Sequence, residues 1–371
     1  MSGPILEARD LKVSRGGTPV LDVREFTLNP GEFLSVIGPN GSGKSTLLLS
    51  LAGLLELGSG ELRFGGVKIA GGRGMLEYRR RIAMVFQEPL LFDSTVYANV
   101  ASGLAIRGMG RHETRDRVRE NLELFGIAHL SDRSARKLSG GEAQRTSLAR
   151  AFATQPEIVF MDEPFSSLDP PTKESIVEDL SRVIRLRRTC VVMATHDRVD
   201  ALTLSDRIAV MDGGSVVQVG TPSEVMYRPV SEAVAAFVGI ENMVRGVVTG
   251  VAGGVLEVQA GRARIRALGA FPRGEEVVCL VRPESVTLST PGTHEESSAR
   301  NVLHGRVVRV RNRGDVQGVF IDCGFPLVAS VTKNALEELC IEEGREVTAL
   351  FKATAVHVVK SARAYSGGRN T

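Results

Sequence analysis

The chain has 371 residues, of which 43% are hydrophobic, 24% are charged and 5% are aromatic, a balance typical of a globular protein of two or three domains. The 46 lysines and arginines and 43 aspartates and glutamates leave a formal net charge of only +3. This net positive charge is too small for a domain that binds nucleic-acid phosphates, so we expect no nucleic-acid partner.

No segment of the sequence reads as a membrane span or a signal peptide. The longest aliphatic stretch, residues 47–57, is interrupted by polar residues and is shorter than the ~20 apolar residues needed to cross a bilayer. Glu7 and Asp10 stand where a signal peptide would be apolar. The cysteines lack CxxC spacing and mostly have apolar neighbours; they are Cys190, Cys279, Cys323 and Cys340. We expect a cytosolic chain whose cysteines are reduced core residues.

Short apolar runs alternate with longer helical stretches up to about residue 239. Such runs suit strands buried on both faces of a parallel sheet covered by helices. The predicted strands are Phe33–Ile37, 158–161, Cys190–Ala194 and 208–211. Asp212-Gly213-Gly214 after the last of them predicts a hairpin turn. We therefore predict an α/β domain over residues 1–239.

A glycine-rich segment directly follows the first of these strands and precedes an apolar helix. It has the pattern G-x-x-x-x-G-K-S and consists of Gly38, Pro39, Asn40, Gly41, Ser42, Gly43, Lys44, Ser45 and Thr46. In this context the pattern predicts a phosphate-binding loop, in which backbone N–H groups and the helix N-terminus surround phosphate oxygens. We expect Lys44 to reach the outer phosphates and Ser45 to hold Mg²⁺.

Polar side chains follow two other predicted strands. Asp162 and Glu163 come after 158–161, and His196 comes shortly after Cys190–Ala194. Open α/β sheets bind ligands at the carboxyl ends of their strands. Asp162 is therefore suited to bind a metal ion, and Glu163 is suited to bind the water that reacts.

A second anion site is predicted at the start of a helix. Ser139 and Glu142 have the spacing of a capping box, and Gly140 and Gly141 leave helical N–H groups accessible. This site has no lysine of its own. The pattern suggests that it completes a site formed elsewhere.

After Gly239 the sequence pattern changes to short Val-rich segments interrupted by Gly and Pro. This pattern predicts an all-β domain over residues 240–371. Asn242-x-x-x-Gly246-x-Val248 matches Asn301-x-x-x-Gly305-x-Val307 at a shift of 59 residues, and later matches are shifted by 70. We interpret the repeat as two similar small barrels, the second carrying an insertion of about 11 residues. Residues 290–298 read as the linker between them.

Taken together, these motifs in the first 240 residues resemble the nucleotide-binding subunit of an ATP-binding cassette (ABC) transporter, a P-loop fold with a helical subdomain. Gln87 and the loop 166–169, which ends in Asp169, occur in the same order along the chain as the corresponding motifs of this family. The resemblance implies that ATP and Mg²⁺ bind between two head-to-tail copies of the chain. Ser139, Gly140 and Gly141 of one copy would face the phosphate loop of the other, and Asp169 would communicate between the sites.

The same resemblance implies roles and partners. Glu163, His196 and Gln87 would act in hydrolysis, with Mg²⁺ held by Ser45, Asp162 and Gln87. The chain would lie peripherally on the cytoplasmic face of the membrane against integral permease subunits, supplied indirectly by a periplasmic or surface oxyanion-binding protein. The apolar run Leu90, Leu91 and Phe92, in segment 88–100, would either contact the permease or pack in a core.

Two departures from the family pattern stand in the sequence. Glu142 occupies a signature position where the family often has Gln, a change we expect to be silent. No aromatic residue lies near Ser14-Arg15-Gly16, where one usually stacks on adenine. Arg15 could stack its planar guanidinium there, or be an ordinary surface residue.

The C-terminal region resembles the oligonucleotide/oligosaccharide-fold (TOBE/Mop-like) extensions of importer ATPases, and its second half resembles a molybdate-binding module. The resemblance places Ser298, Arg300 and Lys352 at a tetrahedral oxyanion. We expect an importer ATPase for molybdate or tungstate with oxyanion feedback. The alternatives are an importer for sulfate, ferric iron, polyamine or sugar whose C-terminal domain only dimerises, and a soluble cassette ATPase acting on DNA or ribosomes.

Overall fold

The computed structural model describes residues 3–290 and 298–361. The chain forms two compact units, Met1–Pro222 and Ser223–Thr371. This division falls before the domain boundary expected at residues 239/240, and that boundary stays a proposal. None of the helices in the described ranges is long and apolar enough to span a membrane.

The first unit combines two sheets and seven α-helices among its described residues. In chain order it contains β1 (Leu6–Arg15), β2 (Thr18–Leu28), β3 (Phe33–Ile37), α1 (Lys44–Leu51), β4 (Ser59–Phe64), β5 (Val67–Lys68), α2 (Gly71–Arg80), β6 (Ile82–Val85), α3 (Val96–Ile106), α4 (Arg111–Leu124), α5 (Gly140–Ala153), β7 (Ile158–Asp162), α6 (Pro170–Arg187), β8 (Cys190–Ala194), α7 (Arg198–Leu204), β9 (Arg207–Asp212) and β10 (Ser215–Gly220).

The central sheet has the order β10-β9-β3-β8-β7-β6, and all of its strands except β10 run parallel. The four apolar runs predicted as buried strands are β3, β7, β8 and β9, and the hairpin at Gly213 and Gly214 joins β9 to β10. A second sheet, antiparallel with the order β2-β1-β4-β5, was not expected from the sequence.

Both faces of the central sheet are covered, which explains the wholly apolar strands. Phe160 and Val192 face a core shared with α1 and the antiparallel sheet. Val159 and Met193 face a second core built from the helices α3 to α6. Alternate residues of one strand therefore enter different cores.

The second unit is built of strands with a few short helices. It contains α8 (Pro222–Tyr227), which begins at the division between the units, α9 (Glu232–Phe237), β11 (Asn242–Ala252), β12 (Val255–Ala260), β13 (Ala263–Leu268), β14 (Glu276–Val281), β15 (Thr287–Ser289), β16 (Asn301–Asn312), β17 (Val316–Asp322), β18 (Pro326–Thr332), α10 (Lys333–Glu338), β19 (Glu346–Phe351) and β20 (Val356–Lys360). Its sheets have the orders β13-β12-β11-β14-β20 and β15-β19-β16-β17-β18.

The two halves of this unit exchange their last strands. β15 follows the first half but pairs with β19 of the second, while β20 follows the second half and pairs with β14 of the first. One hydrophobic core runs through both halves. The halves are thus two sheets of one folded body rather than independent barrels.

The sequence repeat has a structural counterpart at two buried asparagines, each 1% exposed. The Asn242 side chain exchanges hydrogen bonds of 2.9 and 2.6 Å with the backbone of Val328. Asn301 does the same with Arg266, also at 2.9 and 2.6 Å. Each half thereby fixes an edge strand of the other. Part of the insertion expected in the second half corresponds to α10, between β18 and β19.

The structure describes all four cysteines but only the two ends of the predicted linker. All four cysteines are free, but Cys340 is exposed rather than in the core, because it lies in a left-handed turn, φ 47°, shortly after α10. Most of the predicted linker, residues 291–297, lies outside the described residues.

Candidate functional site

The predicted phosphate loop lies at the carboxyl end of β3, between that strand and α1. Gly43 caps α1 with φ 98°, a left-handed conformation that favours glycine. A Cβ on Gly38 would lie 2.3 Å from the carbonyl oxygen of Met211. The loop therefore requires glycine at both positions for reasons of backbone shape and space.

Two buried polar groups fill this loop. The Lys44 ammonium donates to the carbonyl oxygens of Gly38, at 2.9 Å, and Pro39, at 3.1 Å. Burial lowers the pKa of Lys44, and the nearby Glu163 and Asp162 carboxylates oppose that shift. The Ser42 hydroxyl is buried, and no protein group among the described residues hydrogen-bonds it. A loop with a buried cation and a free hydroxyl suits phosphate oxygens.

Ser45 and Asp162, two of the oxygen donors expected for Mg²⁺, are hydrogen-bonded to each other. The Ser45 hydroxyl donates to Asp162 Oδ1 at 3.0 Å. Burial raises the pKa of Asp162, while the Ser45 hydrogen bond acts in the opposite direction. Hydroxyl and carboxylate oxygens are the ligands that Mg²⁺ uses beside nucleotide phosphates. The pair fits such an ion.

Glu163 and His196 are in direct contact. His196 Nδ1 lies within hydrogen-bond distance of Glu163 Oε2. Glu163 has a left-handed backbone, φ 47°, and its N–H donates to the Ala194 carbonyl at 2.9 Å. The Glu163 side chain is 15% exposed and the His196 side chain 56%. A cavity of about 260 Å³ opens beside the pair.

The signature segment forms the capping box expected from its sequence. Glu142 N–H donates to Ser139 Oγ at 3.3 Å, and Ser139 N–H donates to Glu142 Oε2 at 2.7 Å. This second bond lowers the pKa of Glu142, with a smaller contribution from Arg133. No hydrogen bond or ion pair joins the segment to residues 38–46 within the described chain. Gly141 packs closely on α6, since a Cβ there would lie 2.5 Å from Thr172 Cγ2.

Gln87 is exposed two residues after β6, at the same sheet edge as Asp162, since Val85 pairs with Met161. Asp169 caps α6 through a 3.2 Å bond from Thr172 N–H. Neither contacts Glu163 or His196 through a hydrogen bond in the described structure.

The segment after Gln87 is held by a residue that the sequence did not single out. Arg150 on α5 donates to the carbonyl oxygens of Pro89, at 2.9 Å, and Leu90, at 3.0 Å. Leu90 and Phe92 are 59% and 56% exposed. Leu90 and Phe92 therefore form a tethered apolar surface, whereas Leu91 is half-buried and Val96 and Val100, later in the segment, pack in a core. Arg150 lies eight residues beyond Glu142, with no motif to mark it.

The three candidate oxyanion residues are exposed in the second unit. β16 pairs with β19 so that Asn301 stands opposite Phe351. This register places Arg300 and Lys352 opposite each other, one position beyond the last paired rung. Neither forms an ion pair with a carboxylate in the described ranges. Ser298 lies two residues before Arg300, and the structure records no contact between them.

Comparison with known proteins identifies the family. A model described as "ABC transporter" matches residues 21–166, and one described as "TOBE domain" matches residues 297–358. The "Molybdate/tungstate import ATP-binding protein WtpC" of Pyrococcus horikoshii is 38% identical over 348 residues, covering 91% of this chain and 97% of that protein. This chain belongs to the ATP-binding subunits of ABC importers.

Other members of the family are similar over different shares of the chain. The "Molybdenum import ATP-binding protein ModC" of Mycobacterium tuberculosis is 35% identical and covers 91% of this chain and 93% of its own. The "Fe(3+) ions import ATP-binding protein FbpC" of Streptomyces avermitilis is 38% identical and covers 77% and 80%. The structure of cbiO1 from Clostridium perfringens, part of an ABC transporter complex, has a TM-score of 0.57 and 31% identity, covering 61% of this chain and 92% of that chain.

Family membership confirms the expected fold class and activity. The chain is an ATP-hydrolysing transport subunit, with a P-loop ATPase domain followed by an all-β TOBE domain. The family's adenine-stacking aromatic is expected near Arg15, at the exposed end of β1. Residues 14–16 contain no aromatic side chain.

Proposed function

We propose that this chain powers the uptake of molybdate or tungstate, from the cytoplasmic face of the membrane, in contact with permease subunits that an external oxyanion-binding protein supplies. The proposal rests chiefly on Arg300 and Lys352, which stand opposite each other in the second unit and form no ion pair with a carboxylate among the described residues. The two molybdenum-import relatives support it, because they match a larger share of this chain than the iron-import relative.

In the ATPase unit we assign each group a role from its position. Lys44 and the loop 38–46 bind the phosphates. Ser45, Asp162 and Gln87 would hold Mg²⁺, which would stabilise negative charge on the phosphate oxygens. Glu163 orients and deprotonates the attacking water, and His196 holds the γ-phosphate. The contact between His196 and Glu163 keeps both groups at one end of the sheet.

Replacing Glu163 tests this assignment. Glu163→Gln keeps the shape of the side chain but removes its charge, so the variant should bind ATP normally and hydrolyse it about 10²- to 10⁴-fold more slowly. Steady-state ATPase assays and nucleotide-binding titrations measure the two effects. Hydrolysis near the wild-type rate, with contaminating ATPase excluded, would remove Glu163 from this role.

We also propose that ATP is bound between two copies of the chain. Within one copy no hydrogen bond or ion pair among described residues joins the signature helix α5 to the phosphate loop. Ser139→Arg would place a bulky side chain where the partner's phosphate approaches. It should abolish hydrolysis but spare ATP binding by single chains. Activity that survives this change and does not depend on protein concentration contradicts the shared site.

The internal repeat of the second unit provides a control for the oxyanion site. Asn242 stands opposite Val281, so Glu241 and Arg282 occupy the places that Arg300 and Lys352 occupy in the second half. Glu241 is a carboxylate and pairs with Arg313. Like charges opposite each other in a ladder are destabilising. A dianion between Arg300 and Lys352 would remove that repulsion, and Ser298 could add a hydroxyl donor.

Titration of the full-length chain with molybdate, tungstate, sulfate and phosphate tests this site. Arg300→Ala should weaken molybdate binding at least tenfold, whereas Arg306→Ala, in the following strand β16 and 68% exposed, should not. In the assembled transporter, molybdate should lower ATPase activity, and Arg300→Ala should relieve that inhibition. If no oxyanion binds, the second unit is a dimerising element. Transport of sulfate, ferric iron, polyamine or sugar would then be the better assignment.

A further inference from the structure

Beside the Glu163–His196 pair lies an ion cluster to which the proposed chemistry assigns no role. Lys173, in the first turn of α6, places its ammonium 2.5 Å from Asp197 Oδ2 and 2.7 Å from Asp200 Oδ1. The Lys173 side chain is 23% exposed, and the side chains of Asp197 and Asp200 are 36% and 7% exposed. The cluster lines the cavity that also contains Glu163 and His196.

The Asp197 carboxylate shapes the backbone that carries His196. Asp197 directly follows it and caps α7, accepting N–H bonds from Val199 at 2.8 Å and Asp200 at 3.4 Å. Asp197 N–H in turn donates to Thr195 Oγ1 at 3.0 Å. His196 is therefore held between two residues with fixed positions. Its own side chain is 56% exposed and contacts only Glu163 by a hydrogen bond in the described structure.

On its other side, Lys173 is joined to the segments expected to face a second copy. The backbone N–H of Lys173 donates to the carbonyl oxygen of Asp169 at 2.9 Å. The neighbouring Thr172 packs against Gly141 of the signature segment. Lys173 is thus the ionic connection between the start of α6 and the loop of His196.

We propose that Lys173 is a positioning residue for His196, fixing the histidine relative to Asp169 and the signature segment. The inference rests on the proposed role of His196 at the γ-phosphate. Lys173 contacts no phosphate-loop residue through a hydrogen bond or ion pair in the described chain, so its loss should affect turnover rather than ATP affinity. Small displacements of a reacting group cost up to ~10²-fold in rate.

Lys173→Met tests the proposal in the full-length chain. We expect kcat for ATP hydrolysis to fall about 10- to 100-fold, with the dissociation constant for ATP changed by less than about twofold. Lys173→Arg should recover most of the rate, because a guanidinium can bridge two carboxylates. Arg185→Met removes a positive charge from an exposed position of the same helix and should leave kcat unchanged.

Loss of Lys173 also leaves Asp200 buried without its cation, and this could lower stability. Lys173→Met/Asp200→Asn removes the unpaired charge, so thermal denaturation should return toward the wild-type midpoint while kcat stays low. If kcat recovers together with stability, Lys173 is only structural and the proposal fails. His196→Ala distinguishes failure of this inference from failure of the proposed function. Full ATPase activity in His196→Ala rejects the role of His196 itself. If His196→Ala loses activity while Lys173→Met keeps the wild-type kcat, only the present inference is rejected.

Discussion

Glu163 adopts a backbone conformation that few non-glycine residues take. Its φ of 47° costs about 1–2 kcal/mol relative to the right-handed region. The Ala194 carbonyl accepts its N–H at 2.9 Å, and the Ser166 hydroxyl donates to its carbonyl at 3.1 Å. These bonds hold the carboxylate toward His196. The backbone strain is thus located at the residue proposed to act on water.

At the same scale, the buried asparagines allow a stability prediction. Asn301→Ala removes both partners of the Arg266 backbone, which should destabilise β13 by about 1–3 kcal/mol, because a buried donor and acceptor lose their hydrogen bonds. Hydrogen exchange of the β13 amides measures this. Asn312→Ala is the matched control, since Asn312 is exposed and its side chain, among the residues that the structure describes, bonds only the N–H of Gly314 in a turn. Equal exchange rates in both variants would contradict the prediction.

Among the elements, the tethered segment after Gln87 gives a prediction about coupling. Leu90→Ser/Phe92→Ser should reduce substrate uptake by the assembled transporter while sparing basal ATPase activity, because both side chains are exposed and no core depends on them. Val67→Ser, at another position that is 72% exposed, should change neither activity. Parallel uptake and ATPase assays make the comparison. Unchanged uptake by the double variant would contradict this role in coupling.

The elements also show what the sequence could and could not predict. Buried strands and the phosphate loop are local signals: an apolar run followed by glycines and Lys44 indicates its own structure. The sheet of β1, β2, β4 and β5 is half exposed and has no such run. The repeat at Asn242 and Asn301 revealed two similar halves. It could not reveal the exchange of β15 and β20, because similarity relates equivalent strands, whereas pairing here joins non-equivalent ones.

At the scale of the whole molecule, the exchange predicts that a distant deletion destabilises the first half of the second unit. A chain ending at residue 352 lacks β20, the partner of β14, and the β14 amides of Val277–Val281 should exchange much faster. A chain ending at Ser361 keeps the pairing and should exchange like the full-length protein. The ATPase unit, with its own cores, should retain ATP binding in both. Unchanged protection of β14 in the shorter chain would show that its edge needs no partner.

The position of β20 in the chain also affects synthesis. All strands of the ATPase unit have left the ribosome once residue 220 has emerged, so this unit can fold during translation. β14 must wait until residues 356–360 are made before its open edge is paired. Until then the nascent first half presents an unpaired apolar strand, the kind of edge that invites association with other chains. Slow translation of residues 282–355 should therefore favour aggregation, and a chaperone that covers β14 should oppose it.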